Sequence, residues 1–395
     1  MSFNKLLAKR TKNMDSTAIK EILKVVSQPG MISLAGGLPA PESFPMDIMK
    51  KLCVQVLDKY GDKAFQYSAV AGLETLRTAL AKNLKKRGVK TSADDILISS
   101  GSQQALDSLG KILISEGDKI AVEAPTYLGA IMAFNAYMPE YISMETDEQG
   151  LIPSSLEKVL KKHKIKFVYL VPTFQNPTGR TIPENRRKEI ARIIKKYNAL
   201  LVEDDPYSAL RFKGNSVPTI QSMAPDNVVY LGTLSKVFAP GLRLGFSVAP
   251  KEITHWLAQV KQGSDLHTST FNQALAAEYI SEGFLEKQIP KIIEIYKPKQ
   301  KAMLDALEEF FPSNFTWSKP DGGLFIWAIG SKDMDTEKLY WQAVKEKVAY
   351  VPGKFFYTEK GQGSETMRLN FSMANETAIK KAVKTLAEVI KKSNK

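Results

Sequence analysis

The sequence VVYLGTLSKVFAPGLRLG, residues 228–245, joins a buried strand to a cluster of polar side chains. Its apolar run 228–231 is typical of a strand that is covered on both faces of a sheet. Lys236 follows this run, so we expect its ammonium group at the end of the strand. Burial there lowers the pKa of a lysine and allows its amine to attack an aldehyde. The groups suited to bind a phosphate beside that aldehyde are Thr233, Ser235 and Arg243.

Further apolar runs alternate with amphipathic segments between residues 95 and 249. One segment begins at Pro183 and carries Ile190 and Ile194 on one face, which predicts a helix. Apolar strands that alternate with helices indicate an α/β fold, with a mostly parallel sheet covered by helices on both sides. Ligands of such sheets bind beyond the carboxyl ends of the strands. The other strand-like runs are residues 96–98, 120–122, 167–171, 200–202 and 244–248.

The carboxyl-terminal part of the chain has short strand-like runs separated by helical segments, which predicts a smaller α+β domain. The amino-terminal segment up to Pro45 is rich in turn residues and is expected to pack near this domain. We therefore predict a large domain at residues 46–295 and a small domain that combines residues 1–45 with residues 296–395. The strand-like runs of the small domain are residues 315–317, 324–327 and 367–371.

The composition is that of a water-soluble globular protein, with 44% hydrophobic and 25% charged residues. The net charge of +13 lies largely in lysine runs that resemble solvated helix faces, and no nucleic-acid-reading module accompanies it. Cys53 is the only cysteine, so no intrachain disulfide is possible. The first residues lack an apolar run of signal-peptide length, and no stretch is long enough to span a membrane. We expect a cytoplasmic protein that binds neither nucleic acid nor a membrane.

Polar residues gather where the predicted strands end. The run SSGSQQAL at residues 99–106 forms a turn that opens a helix. Its backbone N–H groups, the helix dipole and the Ser102 hydroxyl would bind an anion, although an ordinary serine-capped helix has the same pattern. Tyr127 follows the next run and can lie flat against an aromatic ring or simply pack in the core.

Two more clusters follow the runs at residues 167–171 and 200–202. Asn176 lies in the turn sequence NPTG, whose proline and glycine are also explained by the turn alone. The triplet at residues 203–205 places three carboxylates after a buried strand, and each is costly to bury without a cation. Metal binding is the alternative for this triplet, but adjacent strand residues point in opposite directions and no histidine lies near it.

The order of these clusters along the chain resembles that of the class I and II aminotransferases, which are fold-type I enzymes dependent on pyridoxal 5′-phosphate. The resemblance covers residues 32–371 and implies a large domain built on a seven-stranded type of sheet. It implies that Lys236 forms a Schiff base with the cofactor and moves a proton during catalysis. It also implies that Asp204 keeps the cofactor's ring nitrogen protonated, while Asn176 and Tyr207 bind its phenolic oxygen.

Further roles come from the same resemblance. Arg368 would bind the substrate's α-carboxylate, and Tyr67 would reach the phosphate of the neighbouring subunit in a homodimer. The remaining cofactor-binding positions are Ser102, Gln103, Tyr127, Thr233, Ser235 and Arg243. The remaining substrate-binding positions are Gly37, Asn176 and Lys20.

The run ISLAGGLPAPESFP, residues 32–45, resembles the loop that covers the active site in 2-aminoadipate, kynurenine and aromatic aminotransferases. Residues 16–23 resemble the mobile helix of the aminoadipate enzymes, in which some members carry an arginine where Lys20 stands here. This resemblance implies a broad-range aminotransferase with 2-oxoglutarate as acceptor. The alternatives are an aspartate- or alanine-type aminotransferase, a β-lyase or decarboxylase on the same fold, and a non-enzymatic regulator. We do not expect a regulator, because the stretch before the loop is too short for a winged-helix domain.

Overall fold

A computed structural model describes residues 3–14, 20–21, 24–25 and 28–393 of the chain. Its strands, numbered in chain order, are β1 Ile32–Ser33, β2 Ile96–Ser99, β3 Lys119–Glu123, β4 Glu140–Met144, β5 Thr146–Asp147, β6 Gly150–Leu151, β7 Ile165–Leu170, β8 Leu201–Asp205, β9 Val228–Thr233, β10 Gly245–Val248, β11 Thr316–Trp317, β12 Phe325–Ile329, β13 Val348–Ala349, β14 Val351–Pro352 and β15 Thr366–Asn370.

The α-helices with complete bounds flank these strands and connect them. They are Met46–Tyr60, Glu74–Lys86, Ser102–Leu113, Leu128–Asn135, Pro153–Lys162, Glu184–Lys196, Ile220–Met223, Lys251–Ser264, Thr270–Ser281, Phe284–Phe310, Thr336–Lys345 and Glu376–Ser393. The helix predicted after Pro183 is thus confirmed, and Pro183 is its N-cap residue.

The largest sheet within the described residues has seven strands in the order β2-β10-β9-β8-β7-β3-β4. Its pairs are parallel except where β10 runs antiparallel to both of its neighbours, β2 and β9. The predicted mostly parallel α/β sheet is therefore confirmed. The edge strand β4 was not predicted, because its mixed, mostly half-buried side chains lack the continuous apolar run of the other strands of this sheet.

Apolar side chains cover both faces of this sheet, as the alternation of side chains along a strand requires. On one face Tyr169 of β7 packs with Leu106 and Phe134 of the helices that follow β2 and β3. On the other face Val168 of β7 packs with Ile190 of the helix before β8. Because helices bury both faces, the open edge at the carboxyl ends of the strands is where polar groups can meet a ligand.

A second, antiparallel sheet has the order β11-β12-β15-β14, and the helix Phe284–Phe310 lies against the final helix Glu376–Ser393. The amino-terminal segment joins this part of the molecule, since β1 pairs in parallel with β13 through Ile32 and Val348. The helix Phe284–Phe310 is continuous across residues 295 and 296, and the domain division proposed there stays a prediction.

The predicted mobile helix at residues 16–23 falls largely outside the described residues. Lys20 itself is helical and exposed. Among the described residues, no helix has both the length and the apolar character needed to cross a membrane.

Candidate active site

The polar clusters predicted from the sequence meet at one edge of the seven-stranded sheet. Strands β8 and β9 are parallel neighbours, so Asp204 near the end of β8 lies beside the segment that carries Lys236 after β9. Strand β7 lies on the other side of β8 and leads into the loop of Asn176. Strand β10 runs in the opposite direction, and therefore Arg243, just before it, returns to the same edge.

The amine of Lys236 faces the amino-terminal segment. Its Nζ atom donates a hydrogen bond of 2.8 Å to the backbone carbonyl oxygen of Gly37. Burial, together with the positive charges of Arg368 and Arg243, lowers the pKa of Lys236 to about 8. The neutral, nucleophilic form of this amine is therefore more accessible near neutral pH than that of an exposed lysine, as the sequence predicts.

Asp204 is a buried carboxylate with one satisfied oxygen and one unsatisfied oxygen. The hydroxyl of Tyr169 donates to Oδ2 at 2.8 Å, whereas Oδ1 is buried without a hydrogen-bond partner among the described residues. Burial and, to a smaller extent, the charge of Asp205 raise the pKa of Asp204 to about 7, against the opposing effect of the Tyr169 hydrogen bond. A buried acceptor of this kind requires a donor. The protonated ring nitrogen of pyridoxal phosphate is such a donor, so this carboxylate fits the cofactor.

The other carboxylates of the triplet have different partners. Glu203 accepts hydrogen bonds from the backbone N–H groups of Ile220 and Gln221 at 3.0 and 2.8 Å. Asp205 binds Arg87 at 2.5 Å and the hydroxyl of Tyr230 at 2.7 Å. The three acids therefore do not converge on one point, and a shared metal site does not explain the triplet.

The turn after β2 is shaped for a close approach. Gly101 has a φ of +83°, and a side chain on it would meet the guanidinium of Arg243 at 2.4 Å. Gly245 approaches the backbone nitrogen of Ser102 so closely that a Cβ atom there would lie 2.5 Å from it. These contacts hold the start of the helix Ser102–Leu113 beside Arg243. The helix N-terminus and the guanidinium together are suited to bind an anion.

The helix cap distinguishes the two interpretations of this turn. Gly101 is the N-cap residue, and within the described ranges no side chain caps the helix, so the serine does not act as an ordinary cap. The hydroxyl of Ser102 thus stays available for another acceptor or donor. Nearby, the hydroxyl of Thr233 lies 2.9 Å from that of Ser235 and accepts a 3.2 Å hydrogen bond from its backbone nitrogen. The predicted phosphate-binding groups are therefore neighbours in space.

Tyr127 and Gln103 lie beside this turn. Tyr127 is the N-cap residue of the helix Leu128–Asn135, and its ring lies over Gly129, where a Cβ atom would meet it at 2.4 Å. Gln103 donates a 2.7 Å hydrogen bond to the carbonyl oxygen of the same Gly129. The Gln103 side chain therefore supports the segment that carries Tyr127, and it is engaged with protein rather than free.

Arg368 of β15 reaches the site from the four-stranded sheet. Its guanidinium lies over the ring of Phe325 at 4.4 Å and that of Phe356 at 5.0 Å. It donates to the side-chain oxygen of Asn176 at 2.8 Å and to the carbonyl oxygen of Ala35 at 2.5 Å. Burial lowers the pKa of Arg368 to about 10, which still leaves it charged at neutral pH. Its Nε atom is buried without a partner among the described residues.

Tyr207 completes the group around Arg368. It is buried, its ring meets the edge of Phe325 at 5.7 Å, and burial raises the pKa of its hydroxyl. Two predicted residues lie apart from this group. Tyr67 is 76% exposed and contacts the ring of His267, and Lys20 is exposed. Neither is joined to the site by a hydrogen bond within the part of the chain that the structure describes.

Several contributors were not found from the sequence. Tyr169 and Phe325 lie in apolar strand runs, where an aromatic residue is indistinguishable from ordinary core. The position of Tyr169 carries a usable signal, because it is on the same face of the sheet as Asp204 in the neighbouring strand. That signal requires the order of the strands, which the sequence pattern does not provide.

Comparison with known proteins places these observations in context. The family profile "Aminotransferase class I and II" matches residues 45–386. The chain is similar to aromatic-amino-acid aminotransferase 1 of Thermococcus litoralis, with 43% identity over 100% of this chain and 96% of the relative.

Two solved structures share the whole fold. The kynurenine aminotransferase of Pyrococcus horikoshii, determined with PMP, is 43% identical with a TM-score of 0.96 over 100% of this chain and 99% of that one. The α-aminoadipate aminotransferase of Thermus thermophilus, determined with N-(5′-phosphopyridoxyl)-L-leucine, is 36% identical with a TM-score of 0.92 over 99% of each chain.

Proposed function

This chain belongs to the class I and II aminotransferases that use pyridoxal 5′-phosphate, and from that premise we propose the substrates and residue roles of its reaction. The proposed reaction moves an amino group from 2-aminoadipate, an aromatic or a related α-amino acid to 2-oxoglutarate by ping-pong transamination. One observation carries the proposal of roles: the amine of Lys236 lies close enough to Arg368 and Arg243 to feel their charges, and the hydroxyl of Tyr127 likewise lies close enough to Asp204 and to the same two arginines.

The cofactor would be held at both of its ends. Asp204 would accept a hydrogen bond from the protonated ring nitrogen, and Tyr127 would lie against the ring. Asn176 and Tyr207 would bind the phenolic oxygen. The anion site at the start of the helix Ser102–Leu113 would take the phosphate, together with Thr233, Ser235 and Arg243. Gln103 would contribute by fixing the Tyr127 segment. When bound, pyridoxal phosphate supplies a conjugated ring that accepts the electrons left when a proton departs from the substrate's α-carbon.

Lys236 has two proposed tasks. Its amine would hold the cofactor covalently at rest, since its lowered pKa favours the nucleophilic form. After the incoming amine displaces it, Nζ would carry the proton to and from the substrate's α-carbon. The carbonyl oxygen of Gly37 accepts a hydrogen bond from this Nζ, which keeps the amine directed towards the amino-terminal segment.

Arg368 would orient the substrate. A guanidinium binds a carboxylate through two parallel hydrogen bonds, which fixes the substrate's plane as well as its position. The rings of Phe325 and Phe356 hold this guanidinium. Asn176 would share this task, since its side-chain oxygen already accepts a hydrogen bond from Arg368.

The donor class is supported by the relatives, which are named for aromatic amino acids, kynurenine and α-aminoadipate. Gly37 has no side chain, so it would leave room beside Lys236 for amino donors with side chains of different sizes. A Cβ atom at Gly37 would lie 2.9 Å from the ring of Phe325. Lys20, which is exposed, would be the cation for a distal carboxylate of the donor.

A homodimer is part of the proposal. Tyr67 would reach the phosphate of the neighbouring subunit's site, which is consistent with an aromatic side chain that is 76% exposed in a single chain. Phe65 is likewise 70% exposed two residues away, and both side chains would be covered by the partner subunit.

The function is tested with purified holoenzyme and a panel of donors with 2-oxoglutarate. We expect glutamate to form in equal amount to the new oxo acid, fastest with 2-aminoadipate and the aromatic donors. Faster turnover of aspartate or alanine would contradict the donor assignment. Release of ammonia or carbon dioxide without consumption of 2-oxoglutarate would indicate a lyase or decarboxylase. The Lys236→Ala variant is the control for non-enzymatic transfer.

A further inference from the structure

The hydroxyl of Tyr169 is the one hydrogen-bond donor that Asp204 has among the described residues. The two side chains lie on neighbouring parallel strands, β7 and β8, and both are buried. We propose that Tyr169 is a positioning residue: its hydroxyl donates to Oδ2 of Asp204, favours the ionised form of this carboxylate and turns Oδ1 towards the cofactor's ring nitrogen. This inference rests on the proposed role of Asp204.

The geometry leaves Tyr169 little freedom. Its ring meets the edge of Phe134 at 5.8 Å with an interplanar angle of 80°, and it is fully buried. Its hydroxyl is therefore held at a fixed place beside Oδ2. Because a carboxylate is planar, fixing one oxygen and the side chain's stem also fixes the direction of the other oxygen.

The electrostatics favour the same role. Burial works against the charge of Asp204, and the hydrogen bond from Tyr169 offsets part of that effect. Burial and the nearby charge of Asp204 raise the pKa of Tyr169 well above its ordinary value, so its hydroxyl keeps its proton and remains a donor. A hydrogen bond from a neutral donor to a carboxylate is among the stronger kinds in proteins.

Asp205, the residue after Asp204, forms a second buried pair with a tyrosine, Tyr230, and the two pairs can be compared. Asp205 accepts from the buried Tyr230 hydroxyl at 2.7 Å, but it also binds Arg87 at 2.5 Å and the hydroxyl of Ser208 at 2.8 Å. Its pKa is lowered despite burial, because Arg87 offsets the cost. Asp205 is thus satisfied by protein groups, whereas Asp204 has one donor and an oxygen that is left for a ligand.

The test compares Tyr169→Phe with the wild type in binding of two ligands by the apoprotein. One ligand is pyridoxal phosphate, and the other is its carbocyclic analogue, in which a C–H group replaces the ring nitrogen. Loss of the hydroxyl is expected to weaken binding of pyridoxal phosphate by about tenfold, the effect of about one pKa unit at Asp204. Binding of the analogue is expected to change by less than about twofold, since it has no nitrogen for Oδ1 to meet.

A second measurement follows the ring nitrogen directly. Nitrogen NMR of the labelled cofactor bound to Tyr169→Phe is expected to show less protonation at this nitrogen than in the wild type at the same pH. The matched control is Tyr230→Phe, which removes the equivalent hydroxyl from Asp205. This control should leave the ratio of the two affinities and the nitrogen signal unchanged, whatever it does to thermal stability.

The outcomes of these measurements distinguish the proposed role of Asp204 from the proposed role of Tyr169. If wild type binds both ligands equally, the proposed role of Asp204 fails. If wild type discriminates and Tyr169→Phe discriminates equally well, the role of Asp204 stands and that of Tyr169 is overturned. Equal weakening of both ligands would mean that Tyr169 is only structural. Should Tyr169→Phe not fold, difluorotyrosine at position 169, a stronger donor, is expected to increase the discrimination, and an unchanged ratio would overturn the proposal.

Discussion

The guanidinium of Arg368 donates a 2.8 Å hydrogen bond to the side-chain oxygen of Asn176, and this bond joins β15 to the loop that follows β7. It brings together two residues that are 192 positions apart in the chain. One residue is proposed to bind the substrate and the other to bind both substrate and cofactor. The contact therefore connects the two parts of the proposed site, and it leads to a first prediction.

Replacement of Arg368 by lysine is expected to raise KM for the amino donor by about a hundredfold, because an ammonium group lacks the two-pronged geometry of a guanidinium. The equilibrium affinity for pyridoxal phosphate should change by less than about threefold, since Arg368 is not among the residues proposed to bind the cofactor's phosphate. Steady-state kinetics and equilibrium binding measure the two quantities. Arg211→Lys is the control, because Arg211 also lies over an aromatic ring, Phe174 at 4.7 Å, but lines a separate cavity. A KM that does not change in Arg368→Lys would contradict the assignment.

Lys236→Ala is expected to reduce transamination by about a thousandfold or more, because it removes both the covalent attachment and the proton carrier. Its unfolding midpoint should stay close to that of the wild type, since the lost contact is one hydrogen bond to Gly37. Borohydride reduction should attach the cofactor to the wild type and not to the variant. Residual turnover near the wild-type level would remove Lys236 from the mechanism.

The lowered pKa of Lys236 has a measurable effect on cofactor attachment. Only the neutral amine attacks, so the rate of covalent attachment to the apoprotein should rise about tenfold per pH unit below the pKa and level off above it. The break is expected at about 8, where burial and the two nearby arginines place the pKa. Stopped-flow absorbance at several pH values gives this profile. A break at the ordinary lysine value would contradict the buried, cation-flanked environment.

Asp204→Asn is expected to stabilise the apoprotein while weakening its binding of the cofactor. Burial raises the folded-state pKa of Asp204 from 3.8 to about 7, so its contribution to stability is present at low pH and is lost as pH rises through this window. Asparagine does not ionise, and the stability advantage of the variant should therefore grow between about pH 4 and 7 and then stay constant. Chemical denaturation of both apoproteins at pH 5 and pH 8 tests this. Glu203 and Glu123, whose pKa values are also raised, are present in both proteins and cancel in the comparison.

The proposed role of Tyr67 in the partner's site can be tested by mixing two inactive variants. In a mixed dimer of Tyr67→Ala and Lys236→Ala subunits, one site would have both an intact Lys236 and an intact Tyr67 from the other subunit. Equal mixing should restore about a quarter of wild-type activity, because half of the dimers are mixed and each has one complete site.

The control for this experiment mixes Lys236→Ala with Arg368→Ala. Both of these residues belong to the site of a single chain, so every mixed site lacks one of them and no activity should return. Recovery in this control, or none in the Tyr67 mixture, would contradict the shared site. The activity is measured without added cofactor, so that weaker phosphate binding is not masked.

Local patterns were sufficient for much of the fold. The apolar runs predicted β2, β3, β7, β8 and β9 and the segment that forms β10, because a strand buried on both faces must be apolar over most of its length. The edge strand β4 escaped detection because solvent reaches it and its side chains are mixed. The direction of β10 was also unpredicted, since an apolar run does not state which way its strand points.

The sequence by itself determined which chemical groups stand at the strand ends: the lysine after β9, the acidic triplet in β8 and the turn that opens the helix after β2. These are short-range features, and the turn and strand signals lie within a few residues of the groups they present. Only the tertiary structure decided which of them meet. The order of the strands places the Tyr169 hydroxyl beside Asp204. The folding of the amino-terminal segment over the sheet edge lets the carbonyl oxygen of Gly37 accept a hydrogen bond from Lys236. Hydrogen bonds act over about 3 Å in space, whereas the sequence records only separation along the chain.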